Sequence, residues 1–357
     1  MKAKWLAALG VLSSSAAWAQ SSVTLYGVVD ANVEYTTNNR GANSTSGASR
    51  WAEQSGGLSP SRWGMRGAED LGGGNKVVFA LESGFGLNSG TMQQGGRLFG
   101  RQAWVGLEGQ GQRLTLGRQY TSLFDMLANF SPTSYAGQYE PVIGLLGPSL
   151  REDNMVKYRG LFGPLTAEAH WAFGGQPGAA AGSSAYGAGM DYTFGPLELA
   201  AAYDELHGPR TASGYGVARK VFAGARYGIS DRTVLLGGFR YGRNDMPAVG
   251  QITRDNLWWF GVRQDVTDKI SLIGALYYDN IKHATIDGVE SNPKKPWQLS
   301  LIASYALSKR TDVYVTTAYT KHSALDFENY NGAGAAYTIA ATADSQFGAA
   351  VGIRHKF

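Results

Sequence analysis

The feature that most constrains this chain is an alternation that runs to its last residue. In "SQFGAAVGIRHKF", the positions Phe347, Ala349, Val351, Ile353, His355 and Phe357 form one set. Gln346, Gly348, Ala350, Gly352, Arg354 and Lys356 form the other. A period of two, mostly apolar against small, polar or basic, describes a strand whose two faces meet different surroundings. Chain termini usually fray. A bulky aromatic that completes the pattern at the final position therefore asks what the strand pairs with and what its apolar face touches.

The same alternation recurs from residue 23 onward. "VTLYGVVDANVEY" sets Leu25, Val29, Val33 and Tyr35 against Tyr26, Asp30, Asn32 and Glu34. "WQLSLIASYALS" sets Trp297, Leu299, Leu301, Ala303, Tyr305 and Leu307 against Gln298, Ser300 and Ser304. "NMVKYRG" separates Val156 and Tyr158 from Lys157 and Arg159. "LTAEAHWAF" separates Leu165, Trp171 and Phe173 from Glu168 and His170. Short connections ("EDLGGGN", "GQGQ", "FGP" twice, "SDRT", "TDK", "SKRT") take turns with long polar ones, near 36–58, 86–97, 120–150, 174–184, 207–216, 244–254, 281–296 and 323–343. The count is sixteen strands, with short turns at one end and long loops at the other. That is the pattern of an all-β, sixteen-stranded antiparallel transmembrane β-barrel with both termini at the short-turn, periplasmic side. Tyr26, Tyr35, Trp63, Trp171, Tyr192, Tyr227, Trp297 and Tyr305 are expected in aromatic girdles at the two membrane interfaces. A propeller would show a shared repeat of about 40–50 residues, and none is present. Sandwich strands run about 5–6 residues, shorter than these.

The barrel also accounts for the terminus. In hydrocarbon every strand N–H and C=O needs a partner, so an open edge is not tolerated. The last strand must pair with the first, and Phe357 belongs to its lipid-facing series.

Composition narrows the rest. With 357 residues and no cysteine, disulfides and cysteine-held metals are excluded, and no metal or other cofactor is expected. "MKAKWLAALGVLSSSAAWAQ" has a basic start, a short apolar run and Ala17-Trp18-Ala19, the pattern of a signal peptide over residues 1–19 with Gln20 first in the mature chain. The barrel domain is then 20–357. Without Lys2 and Lys4 the chain carries 30 basic and 28 acidic residues, too even a balance to suggest nucleic-acid binding.

In "VTLYGVVD" (23–30), "SRWGMRGAEDLGGG" (61–74), "GRQAWVGLEG" (100–109), "LTLGRQYT" (114–121) and the terminal "RHKF", in that order and spacing, the mature chain resembles the general porins of Gram-negative outer membranes, most closely the β-proteobacterial kind. The resemblance implies a homotrimer in the cell outer membrane, among its lipids and lipopolysaccharide, conducting small ions and hydrophilic solutes. It implies a third long loop, here 120–150, folded into the lumen to form an eyelet with basic groups on the wall and acids on the loop. The family's basic eyelet positions match Arg62, Arg101 and Arg151. Trp63 and Met65 facing out puts Arg62 and Arg66 inside, whereas Val105 and Leu107 share the parity of Arg101 and would need the third loop to cover them. Asp153, Lys157 and Arg159 share the parity of Arg151. The loop holds two acids, Asp125 in a stretch able to form a helical turn, and Glu140, the candidate eyelet acid; Asp30, Glu34 and Glu82 are candidate acids on the opposite wall. A basic ring in a narrow pore attracts anions. The family reads the terminal aromatic, here Phe357, as a signal for the barrel assembly machinery.

Two other functions leave weaker traces. A channel specific for a sugar or organic acid would need a track of lumenal aromatics, and Tyr26, Phe222 and Trp259 are scattered. An enzyme needs a nucleophile beside a base, and no Ser–His pair is identifiable from His170, His207, His283, His322 or His355. "SGFGLNSG" (83–90) fits no nucleotide fingerprint. No catalytic residue is assigned.

Overall fold

The structure, a computed structural model, describes residues 22–41, 46–141, 146, 150–247, 249–286, 289–291, 293–330 and 336–357. The expected signal peptide lies outside the described residues. The strands are β1 (Ser22–Arg40), β2 (Gly47–Ser55), β3 (Arg62–Gly72), β4 (Asn75–Gly84), β5 (Gln102–Gly109) and β6 (Gln112–Tyr120). A short helix α1 (Ser122–Ala128) follows, then β7 (Arg151–Phe162), β8 (Leu165–Ala172), β9 (Ala185–Phe194), β10 (Leu197–His207), β11 (Val217–Ser230) and β12 (Thr233–Met246). The chain completes with β13 (Gly250–Asp265), β14 (Ile270–Ile286), β15 (Val289–Ser291), β16 (Trp297–Ala306), β17 (Thr311–Lys321) and β18 (Ser345–Lys356).

These eighteen segments form one closed antiparallel sheet of sixteen strand positions, because two positions are each filled by two segments. β1 pairs with β3 through Ser22–Val28 and with β2 from Ala31 onward. β14 pairs with β16 below and with β15 above. Three of the long connections expected from sequence shrink for this reason: 36–58, 244–254 and 281–296 are largely strand, extending their hairpins past the apolar band. Polar side chains are tolerated in strands there because both faces meet water.

β1 and β18 close the ring, from Val28 opposite Lys356 to Thr36 opposite Gly348. Phe357 continues this ladder: its N–H donates to the Gly27 carbonyl at 3.1 Å and its carbonyl accepts from the Gly27 N–H at 3.0 Å. The Phe357 ring lies over Gly27, where a Cβ would come within 2.3 Å of it. The apolar alternating set faces outward and is exposed on the bare barrel, as at Val23, Leu25, Val33, Leu299, Leu301, Val315, Val351 and Ile353. Its partner set faces inward, with Asp30, Asn32, Glu34, Gln298 and Ser300 buried. Tyr26 departs from the expected girdle, because it shares the inward parity of Asp30 and donates to Glu82 at 3.0 Å.

The core sits inside the barrel, between the wall and segment 121–141. Thr121 caps α1 by accepting from the Phe124 N–H, and Leu123, Met126, Leu127 and Phe130 pack with Phe222, Leu257, Trp259 and Tyr277 of β11, β13 and β14. Glycines on the inner wall give the segment room. Cβ atoms at Gly189, Gly224, Gly261 and Gly348 would meet Met126, Phe130, Pro132 and Tyr139 in turn. Gly137 of the segment itself comes close as well, since a Cβ there would lie 2.0 Å from the Gly56 carbonyl oxygen. Hydrogen bonds fix the same path. The Trp259 indole donates to the Phe130 carbonyl (2.9 Å), Arg263 donates to the Pro132 carbonyl (2.6 Å), and Ser300 donates to the Tyr139 carbonyl (2.7 Å). Phe222 and Trp259 are therefore packing partners of this segment rather than lumenal aromatics.

Candidate functional site: an arginine cluster inside the barrel

Arg62 opens β3, Arg101 immediately precedes β5, and Arg151 opens β7. Their guanidinium groups gather around one carboxylate and one phenol. Arg101 Nε donates to Glu82 Oε1 at 2.6 Å and Arg62 Nε lies 3.7 Å from Glu82 Oε2. Arg101 Nη2 and Arg151 Nη2 both donate to the Tyr120 hydroxyl, at 2.8 and 2.6 Å. Arg151 also covers the Tyr120 ring, 4.2 Å from its centroid. Tyr120 in turn stacks on Phe124 of α1, and Phe124 packs on Tyr135, so aromatic rings connect the cluster to segment 121–141.

Arg101 is the position where parity misleads. Strand pairing begins at Gln102, opposite the inward Glu82, so Arg101 stands outside the ladder and its side chain is free to turn inward. Val105 and Leu107 are exposed on the outer face, about half accessible, and none of the described loop residues covers them. Asp153 departs similarly. Asn154 has φ 52° and the β6–β7 register shifts between Gly117 and Gln119, so parity does not carry from Arg151 to Lys157. Asp153 instead pairs with Arg97 and Arg118, at 2.7 and 2.9 Å.

The remaining basic positions are distributed around the lumen. Arg66 lies over the Tyr26 ring at 5.3 Å. Lys157 pairs with Asp125 of α1 and with Glu168 (2.8 Å), and Arg159 pairs with Glu168 (3.1 Å). Lys157 and Arg159, together with Gln102, Trp104, Gln119 and Arg113, line a cavity of about 410 Å³ beside α1. Arg113 is a further basic position of this wall, placed inward by the outward parity of Leu114 and Leu116 and opposite Arg159.

Glu140 does not face the arginines. It is 2% exposed and turned into its own loop, where Ser131 donates to it at 2.5 Å and Thr133 also bonds it. Burial pushes its carboxyl above the usual range. The acids expected on an opposite wall are likewise occupied. Asp30 accepts from the backbone N–H groups of Gly57, Leu58 and Ser59 and from the Tyr314 hydroxyl. Glu34 accepts from Arg50, Gln54, Gln138, Tyr139 and Tyr337. Glu82 is beside the arginines, not across from them. Its inward parity on β4 was visible in the sequence, but the approach of Arg101 from outside the ladder was not.

Two Ser–His contacts exist that the sequence reading did not find. Ser122 Oγ lies 3.0 Å from His170 Nδ1, and Ser184 Oγ lies 3.1 Å from His207 Nδ1, whose Nε2 is 2.7 Å from Glu205. Both serines are fully buried, so neither hydroxyl can reach a substrate carbonyl; they hold loop ends to the wall. Among the described residues no group of three or more His, Asp or Glu side chains could hold a metal.

A sixteen-stranded barrel with an apolar outer band and charged groups inside defines an outer-membrane channel. The comparisons agree. A family model described as Gram-negative porin matches residues 6–325. Outer membrane porin protein 32 of Delftia acidovorans is 31% identical, with 99% of both chains covered. An outer membrane porin protein of Bordetella pertussis is 28% identical over 87% of this chain and 92% of its own. Among solved structures, the anion-selective porin from Comamonas acidovorans superposes with a TM-score of 0.78 at 27% identity, covering 95% of this chain and all of its own. The chain belongs to the Gram-negative porin family and is a multi-pass β-barrel of the outer membrane. These relatives are channels, not enzymes.

Proposed function

We propose that this porin is a diffusion channel for small hydrophilic solutes and ions that prefers anions, with segment 120–150 constricting the lumen and Arg62, Arg101 and Arg151 forming the basic side of the narrowest zone. The observation that carries this reading is the gathering of three guanidinium groups around one carboxylate, Glu82, and the Tyr120 hydroxyl. Arginine stays charged at any working pH, and a surplus of positive charge between low-dielectric walls raises the local concentration of anions. The loop contributes little opposing charge, because Asp125 is paired with Lys157 and Glu140 is enclosed. The anion selectivity stated for the Comamonas relative supports the same reading. The test is the zero-current potential of a single channel across a KCl gradient, at a mean of about 0.1 M and again near 1 M. Chloride should be the more permeant ion at low salt, with the preference weakening as the Debye length falls from about 10 Å to about 3 Å. Potassium preference at low salt would refute it.

The mature protein, on this reading, starts at Gln20 and assembles as a homotrimer, and Phe357 serves the barrel assembly machinery as a recognition signal. The backbone pairing of Phe357 with Gly27 supports a second, structural role for the same residue in closing the ring. Intact mass, gel mobility before and after boiling, and the yield of a Phe357 deletion test these three points in turn.

A further inference from the structure

Tyr120, at the end of β6, is surrounded by donors. Its hydroxyl oxygen accepts from Arg101 Nη2 at 2.8 Å and from Arg151 Nη2 at 2.6 Å, and its carbonyl accepts from Lys157 Nζ at 3.2 Å. Two contacts hold the ring. Arg151 covers it at 4.2 Å, and Phe124 stacks on it at 4.2 Å with the planes 5° apart.

A phenol has one proton to donate, and a guanidinium has no lone pair to accept it. Arg101 and Arg151 both donate to the Tyr120 oxygen, so neither can take its proton. Glu82, the carboxylate of the cluster, takes its hydrogen bonds from Arg101 Nε and the Tyr26 hydroxyl. The Tyr135 hydroxyl, whose ring also packs on Phe124, is buried and has no hydrogen-bond partner among the described residues, so it does not take the proton either. Tyr120 lines the cavity of about 410 Å³ beside α1. Its O–H is therefore available to a solute in the lumen. Two charge-assisted bonds into the oxygen also polarise that O–H, because linked hydrogen bonds strengthen one another.

An anion that enters a narrow zone gives up part of its water shell, and groups on the wall replace it. The arginines attract every anion by charge. A fixed O–H adds a contribution that grows with the acceptor strength of the anion, and O–H donation to a carboxylate oxygen is among the short, strong hydrogen bonds.

We propose that the Tyr120 hydroxyl donates to the permeating anion and sets the preference among anions, favouring small oxyanions such as formate over chloride. The proposal rests on the anion-preferring reading of the arginine cluster and adds to it a choice between anions of equal charge. The test is the formate-to-chloride permeability ratio, read from the zero-current potential with potassium formate on one side and potassium chloride on the other. Wild type is compared with Tyr120→Phe and with Tyr120→O-methyltyrosine. Phenylalanine keeps the ring and loses the oxygen, whereas O-methyltyrosine keeps an accepting oxygen and loses the proton. The ratio should fall about threefold in both, as for the loss of one net hydrogen bond. Chloride preference over potassium in a KCl gradient should stay at the wild-type level. An unchanged ratio in Tyr120→Phe would overturn the proposal. A fall in Tyr120→Phe with a wild-type ratio in Tyr120→O-methyltyrosine would overturn it too, since the oxygen would then serve only to accept from the arginines. Potassium preference in the wild type would refute the anion reading itself, and that result is separate because it needs neither variant.

Discussion

The wall built from β3, β4 and β7 and the wall built from β1 and β18 both carry buried charge, yet they put it to different use. On the first, Arg101 is buried against Glu82 and Tyr120, while Arg62 and Arg151 keep partial exposure and leave a surplus of positive charge. On the second, Asp30 is enclosed by four donors and Glu34 by five, including backbone N–H groups from 57–59 and side chains from the inner segment and the 337 region. The lesson is that a lumenal charge matters to permeation only if water and ions can reach it. A carboxylate whose lone pairs are filled by N–H and O–H groups works as a structural clamp. The sign of the pore then follows from which charges remain accessible, and the total inside the barrel is a poor guide.

The largest effect should come from breaking a clamp. Asp30→Ala strands three backbone N–H groups and the Tyr314 hydroxyl, and unmade buried hydrogen bonds cost about 1–3 kcal/mol each. With partial relaxation, about 3–5 kcal/mol of stability should be lost, visible as a lower denaturant midpoint of the folded barrel, while the folded fraction keeps wild-type ion preference. If the variant instead shifts the zero-current potential strongly with little loss of stability, the clamp description of Asp30 is wrong.

A smaller effect on stability, about 1–3 kcal/mol, is expected for Glu82→Gln, because Arg101 keeps a hydrogen-bond acceptor but loses a buried counter-charge. The same change removes the single negative charge of the cluster, so chloride preference should rise. A fall in chloride preference would mean that Glu82 positions the arginines more than it neutralises them.

Glu140→Gln should do least, and its pH dependence is informative. Burial raises the carboxyl of Glu140 in the folded protein above its unfolded value. The folded state therefore binds that proton more tightly, and stability declines as pH rises from the unfolded value through the folded one. Glutamine removes this dependence. The wild type should lose more stability than the variant as the pH rises above the ordinary carboxylate range, with identical ion preference in both. A change of reversal potential in this variant would show that Glu140 reaches the lumen.

These contrasts also mark what the sequence could convey. Alternation, turn spacing and the terminal Phe357 carried the barrel, its closure and the outward face, because a two-sided strand in a membrane has a strict local code. Arg62 and Arg151 could be named from motif position, and Arg62 from parity as well. Three things were beyond that code. Arg101 lies one residue outside its strand, the bulge at Asn154 detaches Asp153 from its neighbours, and the enclosure of Glu140 depends on how segment 121–141 folds back on Ser131 and Thr133. Each arises from a bulge, a strand end or a non-local contact, where period-two reasoning carries no information. The inner glycines, Gly189, Gly224, Gly261 and Gly348, were a usable signal for the path of the loop. They sit on inward positions of strands, where a residue without a side chain suggests close approach by another segment.

The most direct test is the zero-current potential of the channel in a KCl gradient at about 0.1 M, compared between the wild type and an R62Q/R101Q/R151Q variant that still forms a heat-modifiable barrel. At contact distance in water each charge is worth about 1 kcal/mol to a passing ion, close to fivefold in permeability. The wild type should favour chloride, and the variant should lose that preference by at least about tenfold and move toward potassium. An unchanged chloride preference in the variant would place selectivity outside the arginine cluster and contradict the account.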